Sequence, residues 1–239
     1  AAVLIDPIPH RVGLLQASPV YIEALYSWTR KNGALLIFDE VITFRSNYGG
    51  AQDDYKVRPD LTALGKIIGG GVPVGAFGGR ADVMNVLDPT TGGRLRFPHS
   101  GTFSANPVTM TAGMTAMELY DQKAVNDLNA LTQLAREQIN EAIRVADVPV
   151  SVTGSASMFR VHLKPDGPTT YREAHQTPEE VALLVKLLDY LFNKENIMTI
   201  NTCACMFSTA ISRNEVDRLS QGMLNAFRHI KPELLNLHK

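Results

Sequence analysis

Residues 34–42 read ALLIFDEVI. Every side chain up to Phe38 is apolar, so both faces of an extended segment would be dry, and Asp39 ends the run. Strands covered on both faces do not alternate, which makes this the pattern of a central parallel strand. Upstream, AAVLI at residues 1–5 reads as a second short buried strand, closed by Asp6 and Pro7. Between the two lies an amphipathic helix near residues 20–32, with Gly33 as its C-cap. Strand, helix and strand at this spacing form a βαβ unit with a right-handed crossover. Tyr21, Tyr26 and Trp28 are spaced like packing residues of that helix and read as core or interface.

Downstream, residues 45–59 are polar and read as a surface loop or short helix. The stretch 64–79, LGKIIGGGVPVGAFGG, follows and ends in another short strand. A short helix at 82–87 and a long turn-rich loop at 88–102 come next, the latter longer than most connections in compact domains. A helical region over 107–146 breaks near 120–124. Beyond it the composition is mixed: one or two strands in 150–163, a helix from the Thr177 N-cap to about residue 192, a strand-like run over 197–210 and a last helix over 214–229. The division is therefore an α/β part, residues 1–146, and a smaller α+β domain, residues 147–239.

The 239 residues are 45% hydrophobic and 20% charged, with a formal net charge of -1. That is enough chain for a sizeable core, and near-neutral charge gives no case for a nucleic-acid partner or an anionic membrane surface. No apolar run reaches membrane-spanning length. Cys203 and Cys205 do not suffice for a closed zinc site and are poorly spaced for a disulfide, so no metal and a reducing, cytoplasmic setting are expected. The chain opens directly in a strand-like run without Met, and residues upstream of Ala1 are expected.

Three places carry chemistry. Asp39 lies at the carboxyl edge of a buried strand, where open α/β sheets hold ligands. It would either meet a cationic or donor partner there or simply bind backbone amides at the strand end; alternation turns Glu40 to the opposite side. Lys66 stands among aliphatic residues just before Gly69, Gly70 and Gly71, which permit tight turns or close backbone approach. Desolvation would favour its free amine, the form that attacks a carbonyl; the alternative is a surface lysine before a flexible loop. The spacing of these glycines matches neither a Walker loop nor a dinucleotide fingerprint. HSGTFSAN at 99–106 offers hydroxyls and amides that could hold a phosphate or merely cap the next helix.

IFDEV, LGKIIGGGVPVGAFGGR and HSGTFSANP, in this order, resemble the class III pyridoxal-phosphate-dependent aminotransferases. FRSNYGGAQ and PDLTALGKIIGGG are most similar to the branch holding glutamate-1-semialdehyde 2,1-aminomutase. The resemblance implies a fold-type I transferase, with residues 1–146 as part of the large cofactor-binding domain and 147–239 as the small C-terminal domain. It implies pyridoxal 5'-phosphate held as a Schiff base by Lys66, which also shuttles the proton. It implies Asp39 paired with the pyridine nitrogen, and Val41, on the same strand side, packed against one ring face. Gly101 and Thr102 would serve the phosphate of a neighbouring subunit, so a homodimer with shared active sites is expected. The activity implied is amino transfer between an amino acid or amine and a carbonyl acceptor. The alternatives are the aminomutase, an isomerase, and a non-catalytic fragment needing an upstream segment. Arg45, Arg58, Arg94, Arg96, Arg160 and Arg213 are the candidates for a substrate carboxylate.

Overall fold

The computed structural model describes residues 1–90, 97 and 99–237. These group into two compact units, Ala1–Pro7 with Ala17–Val125, and Ile8–Gln16 with Asn126–Lys239. The sequence reading ends the first domain at residue 146; by packing the division falls at Val125, and the loop Ile8–Gln16 groups with the second unit.

In the first unit β1 (Ala2–Ile5) leads through a loop to helix α1 (Pro19–Asn32) and β2 (Leu35–Asp39). Ser18 caps α1 by accepting the Tyr21 N–H at 3.1 Å, and Gly33 closes it in the left-handed conformation at φ 61°. A short helix α2 (Ala51–Tyr55) precedes β3 (Leu61–Gly65) and β4 (Gly75–Gly79). The strands lie in the order β1-β2-β3-β4; β2 is parallel to both neighbours, and β4 runs antiparallel to β3. Ile22, Leu36, Phe38, Ala51, Tyr55 and Val57 form the core beneath this sheet, with Tyr26 packed at its margin. Tyr21 and Trp28 are exposed in this chain and take no part in that core. After β4 come α3 (Ala81–Met84) and α4 (Pro107–Leu119), the latter capped by Asn106, which accepts the Val108 and Thr109 N–H groups.

Helix α5 (Gln122–Ala146) starts in the last residues of the first unit and runs on in the second. There β5 (Ser151–Ser155) and β6 (Met158–His162) pair antiparallel; α6 (Tyr171–Ala174), α7 (Pro178–Glu195), β7 (Ala204–Met206) and α8 (Arg213–Leu237) follow. All five β6 residues are buried, between β5 and β7, and α7 packs against α8. Two expectations need correcting. The strand-like run 197–210 yields only Ala204–Met206, because Asn196 and Cys203 take positive φ and break the extended backbone before it. The last helix continues to Leu237 through Pro232, carried by Ile230 and Leu234, which are fully buried on either side of the proline.

Candidate active site

The parallel strands β2 and β3 bring two of the three sequence candidates to one sheet edge. Asp39 is the last residue of β2 and pairs in register with Ala63. Its Oδ1 accepts the Val41 N–H at 3.1 Å, the backbone bond expected of a strand-end aspartate. Val41 was expected on the strand side of Asp39, but β2 stops at Asp39 and Val41 sits in the turn beyond it. From there its Cγ1 lies 3.3 Å from where a Cβ on Gly65 would stand, so Val41 packs close against the end of β3 and a larger residue there would push it back by a few tenths of an ångström.

Lys66 follows Gly65 directly and opens a 3-10 turn, Lys66–Gly69, at φ 50°. A lysine in the left-handed region costs about 1–2 kcal/mol relative to the right-handed one, the kind of strain that collects at functional sites. The turn is held by its glycines. A Cβ on Gly70 would collide with the Ala112 carbonyl of α4, and one on Gly113 with the Ile68 carbonyl. The glycines thus serve close approach, and α4 is what approaches. Burial was expected to desolvate Lys66; its side chain is exposed instead, and no hydrogen bond or ion pair engages its ammonium among the described residues.

Gly101 and Thr102 lie in an exposed turn ahead of α4, where the Ser104 N–H donates to the Gly101 carbonyl at 2.9 Å. No hydrogen bond joins either residue to Asp39 or Lys66 among the described residues. Both residues are exposed, and Asn106 does the capping of α4. His99 of the same segment meets the Phe77 ring edge-on at 5.9 Å.

The arginines separate by environment. Arg58 and Arg213 are exposed, and Arg94 and Arg96 lie outside the described residues. Arg45 is desolvated, which lowers its pKa, and a hydrogen bond with Tyr120 opposes that. The Tyr120 hydroxyl also donates to the Arg45 carbonyl at 2.9 Å. Arg160 is buried on β6 in the second unit, with Nη2 on Gln176 Oε1 at 3.2 Å and Nε unpaired among the described residues. Beside it His162 is driven down to about 4 by burial and by the charges of Arg160 and Lys164, against a backbone bond to Gly13. No group of three metal-ligating side chains occurs among the described residues, and no described helix is long and apolar enough to cross a membrane.

Residues 1–187 match the family model described as aminotransferase class-III. A glutamate-1-semialdehyde 2,1-aminomutase of Desulforudis audaxviator is 37% identical over 231 residues, 95% of this chain and 52% of the relative. An ω-transaminase of Sphaerobacter thermophilus superposes with a TM-score of 0.92 at 44% identity, over 96% of this chain and 52% of that one. A transaminase solved with PLP bound gives a TM-score of 0.86 at 32% identity, over 97% of this chain and 53% of that one. The chain spans about half the length of the relatives it matches. It belongs to the class III aminotransferases and carries their fold-type I architecture.

Proposed function

We propose, from this class III membership, that the chain binds pyridoxal 5'-phosphate covalently through Lys66 and transfers an amino group between an amine or amino acid and a carbonyl acceptor. The observation that carries the reading is the Lys66 amine, exposed, unpaired and strained, next to the strand end that presents Asp39. A primary amine and a carboxylate at neighbouring strand ends suit an aldehyde cofactor with a basic ring nitrogen. Bound there, the cofactor supplies an electron sink for the carbanion formed when the substrate carbon loses its proton.

The residues do the rest. Lys66 Nζ would make the covalent attachment and, when released from it, would hold and deliver the proton that moves. The other oxygen of Asp39 would keep a proton on the ring nitrogen, while Oδ1 stays on the Val41 N–H. Val41 offers an apolar surface against the ring. The exposed Gly101 and Thr102 suit a phosphate bound across an interface with a second copy of the chain, in a homodimer. The free thiols of Cys203 and Cys205 fit a cytoplasmic setting.

A second reading, the aminomutase, is favoured by the 37% identity to such an enzyme, below the 44% to the ω-transaminase. The test is the visible absorbance of the protein with pyridoxal 5'-phosphate, followed by borohydride reduction and peptide mass mapping. A visible band that reduces onto Lys66 is expected; a band that reduces elsewhere, or none, overturns the reading. Turnover that needs a separate carbonyl acceptor marks the aminotransferase, and turnover of glutamate 1-semialdehyde alone marks the mutase.

A further inference from the structure

Beside Asp39 the strand end carries a second carboxylate, which alternation sends into the protein. Glu40 is fully buried. Its carboxylate accepts the Ala51 N–H at 2.6 Å, the Gln52 N–H at 3.2 Å, the Gln52 side-chain amide at 3.3 Å and the Thr43 hydroxyl at 3.4 Å. Room for it is made by Gly50, at φ 84°, where a Cβ would stand 2.6 Å from the carboxylate. The main chain of the same residue is held on both sides. Its N–H donates to the Ala63 carbonyl at 2.9 Å, and its carbonyl accepts the Phe44 N–H at 3.1 Å. Burial pushes the Glu40 carboxyl up, and the bonds from Ala51, Gln52 and Thr43 oppose the rise. So elaborate a set of partners locks one point of the backbone, and that point lies between Asp39 and Val41.

We infer that Glu40 is a positioning residue for the site: seated against Gly50 and the first residues of α2, it fixes the backbone from which Asp39 and Val41 act. The inference rests on the reading under Proposed function. It predicts that Glu40 affects how Asp39 meets the cofactor, beyond holding the chain together. At metal sites, removing an outer partner that orients a ligand residue typically costs about 10–100-fold in affinity, and an effect toward the lower end is expected here.

The experiment compares Glu40→Gln and Glu40→Asp with the unaltered protein loaded with pyridoxal 5'-phosphate. Gln keeps the shape but places an amide donor against backbone donors; Asp keeps the charge. Asp60→Asn, altered at the far end of β3, controls for lost stability. The readouts are cofactor affinity, the pH titration of the visible absorbance and the thermal midpoint. Expected are an affinity roughly tenfold lower and a displaced titration midpoint in Glu40→Gln, partial return in Glu40→Asp, and an unmoved titration in the Asp60→Asn control. A Glu40→Gln protein that melts earlier yet keeps the affinity and titration of the unaltered protein overturns the inference and leaves the aminotransferase reading standing. Absence of any band in the unaltered protein overturns both.

Discussion

At the amino end of β3 a buried carboxylate is closed off by charge, while at its carboxyl end a lysine is left open. Asp60 is fully buried; it accepts from Arg30, from Arg80 at 2.6 Å and from the Leu36 N–H at 2.7 Å. It thereby ties the end of α1, the start of β2 and the exit from β4 together. Six residues further on, just past the other end of that strand, Lys66 takes a backbone conformation that costs energy, and its ammonium engages no partner among the described residues. The difference separates the work of the two ends. One holds the sheet, and the other spends part of that stability on a strained turn that leaves an amine exposed.

The largest test of this contrast is Asp60→Ala. It leaves the Leu36 N–H without its buried acceptor and Arg30 without its carboxylate, while Arg80 loses one of two and keeps Asp82. Arg30 and Arg80 are 35% and 46% exposed and can rehydrate, so the loss is about 2–3 kcal/mol, below that of stranding fully buried charges. Urea unfolding measures it, and the mass mapping of Lys66 should not change. Acid gives the same contrast without mutation. Burial alone would raise the Asp60 carboxyl, but Arg30, the Leu36 amide and Arg80 outweigh it and hold it below the ordinary value. A depressed folded pKa adds stability that is fully present above about pH 4, the unfolded value, and is lost as pH falls through the folded one. The unaltered protein should therefore lose more stability between pH 5 and pH 3 than Asp60→Ala does. Equal losses would remove Asp60 from its clamping role.

Gly70→Ala probes the join between the two behaviours. The alanine would sit at φ 58° and press its Cβ onto the Ala112 carbonyl, so α4 or the Lys66 turn must shift. Left-handed strain and overpacking together cost about 2 kcal/mol. Because the turn carries Lys66, cofactor affinity should fall along with the melting temperature. A fall in melting temperature alone would mean that α4 had yielded and the turn had not.

How far these ends could be read from sequence follows from the range of the interactions. β2 and α1 were legible because an unbroken apolar run and a C-cap at Gly33 are local signals. Gly69–Gly71 announced close approach, but the partner, Ala112 in α4, lies too far along the chain for spacing to name. Glu40 was set aside for pointing away from the ligand edge. It does point away, and its partners at 43, 51 and 52 needed the fold to appear. Asp60 gave no cue, since its arginines come from α1 and from beyond β4. The final helix, read as 214–229, continues through Pro232 to Leu237 because Ile230 and Leu234 are buried on either side of the proline.

The smallest effect is also the most direct test of what the open end costs. Lys66 is exposed, so its replacement forfeits little packing, and its main measurable contribution to stability is the strain at φ 50°. Lys66→Ala keeps the Cβ and the strain, and should melt where the unaltered cofactor-free protein does. Lys66→Gly removes the strain, worth about 1–2 kcal/mol, but adds freedom to the unfolded chain, worth about 0.5–1 kcal/mol. A net gain of about 0.5 kcal/mol is expected, with covalent cofactor attachment abolished in both variants. The glycine variant must be compared with the alanine one, since both lack the amine and differ only in the backbone. If Lys66→Gly is no more stable than Lys66→Ala, the turn is not strained, and the open end of the sheet costs the protein nothing.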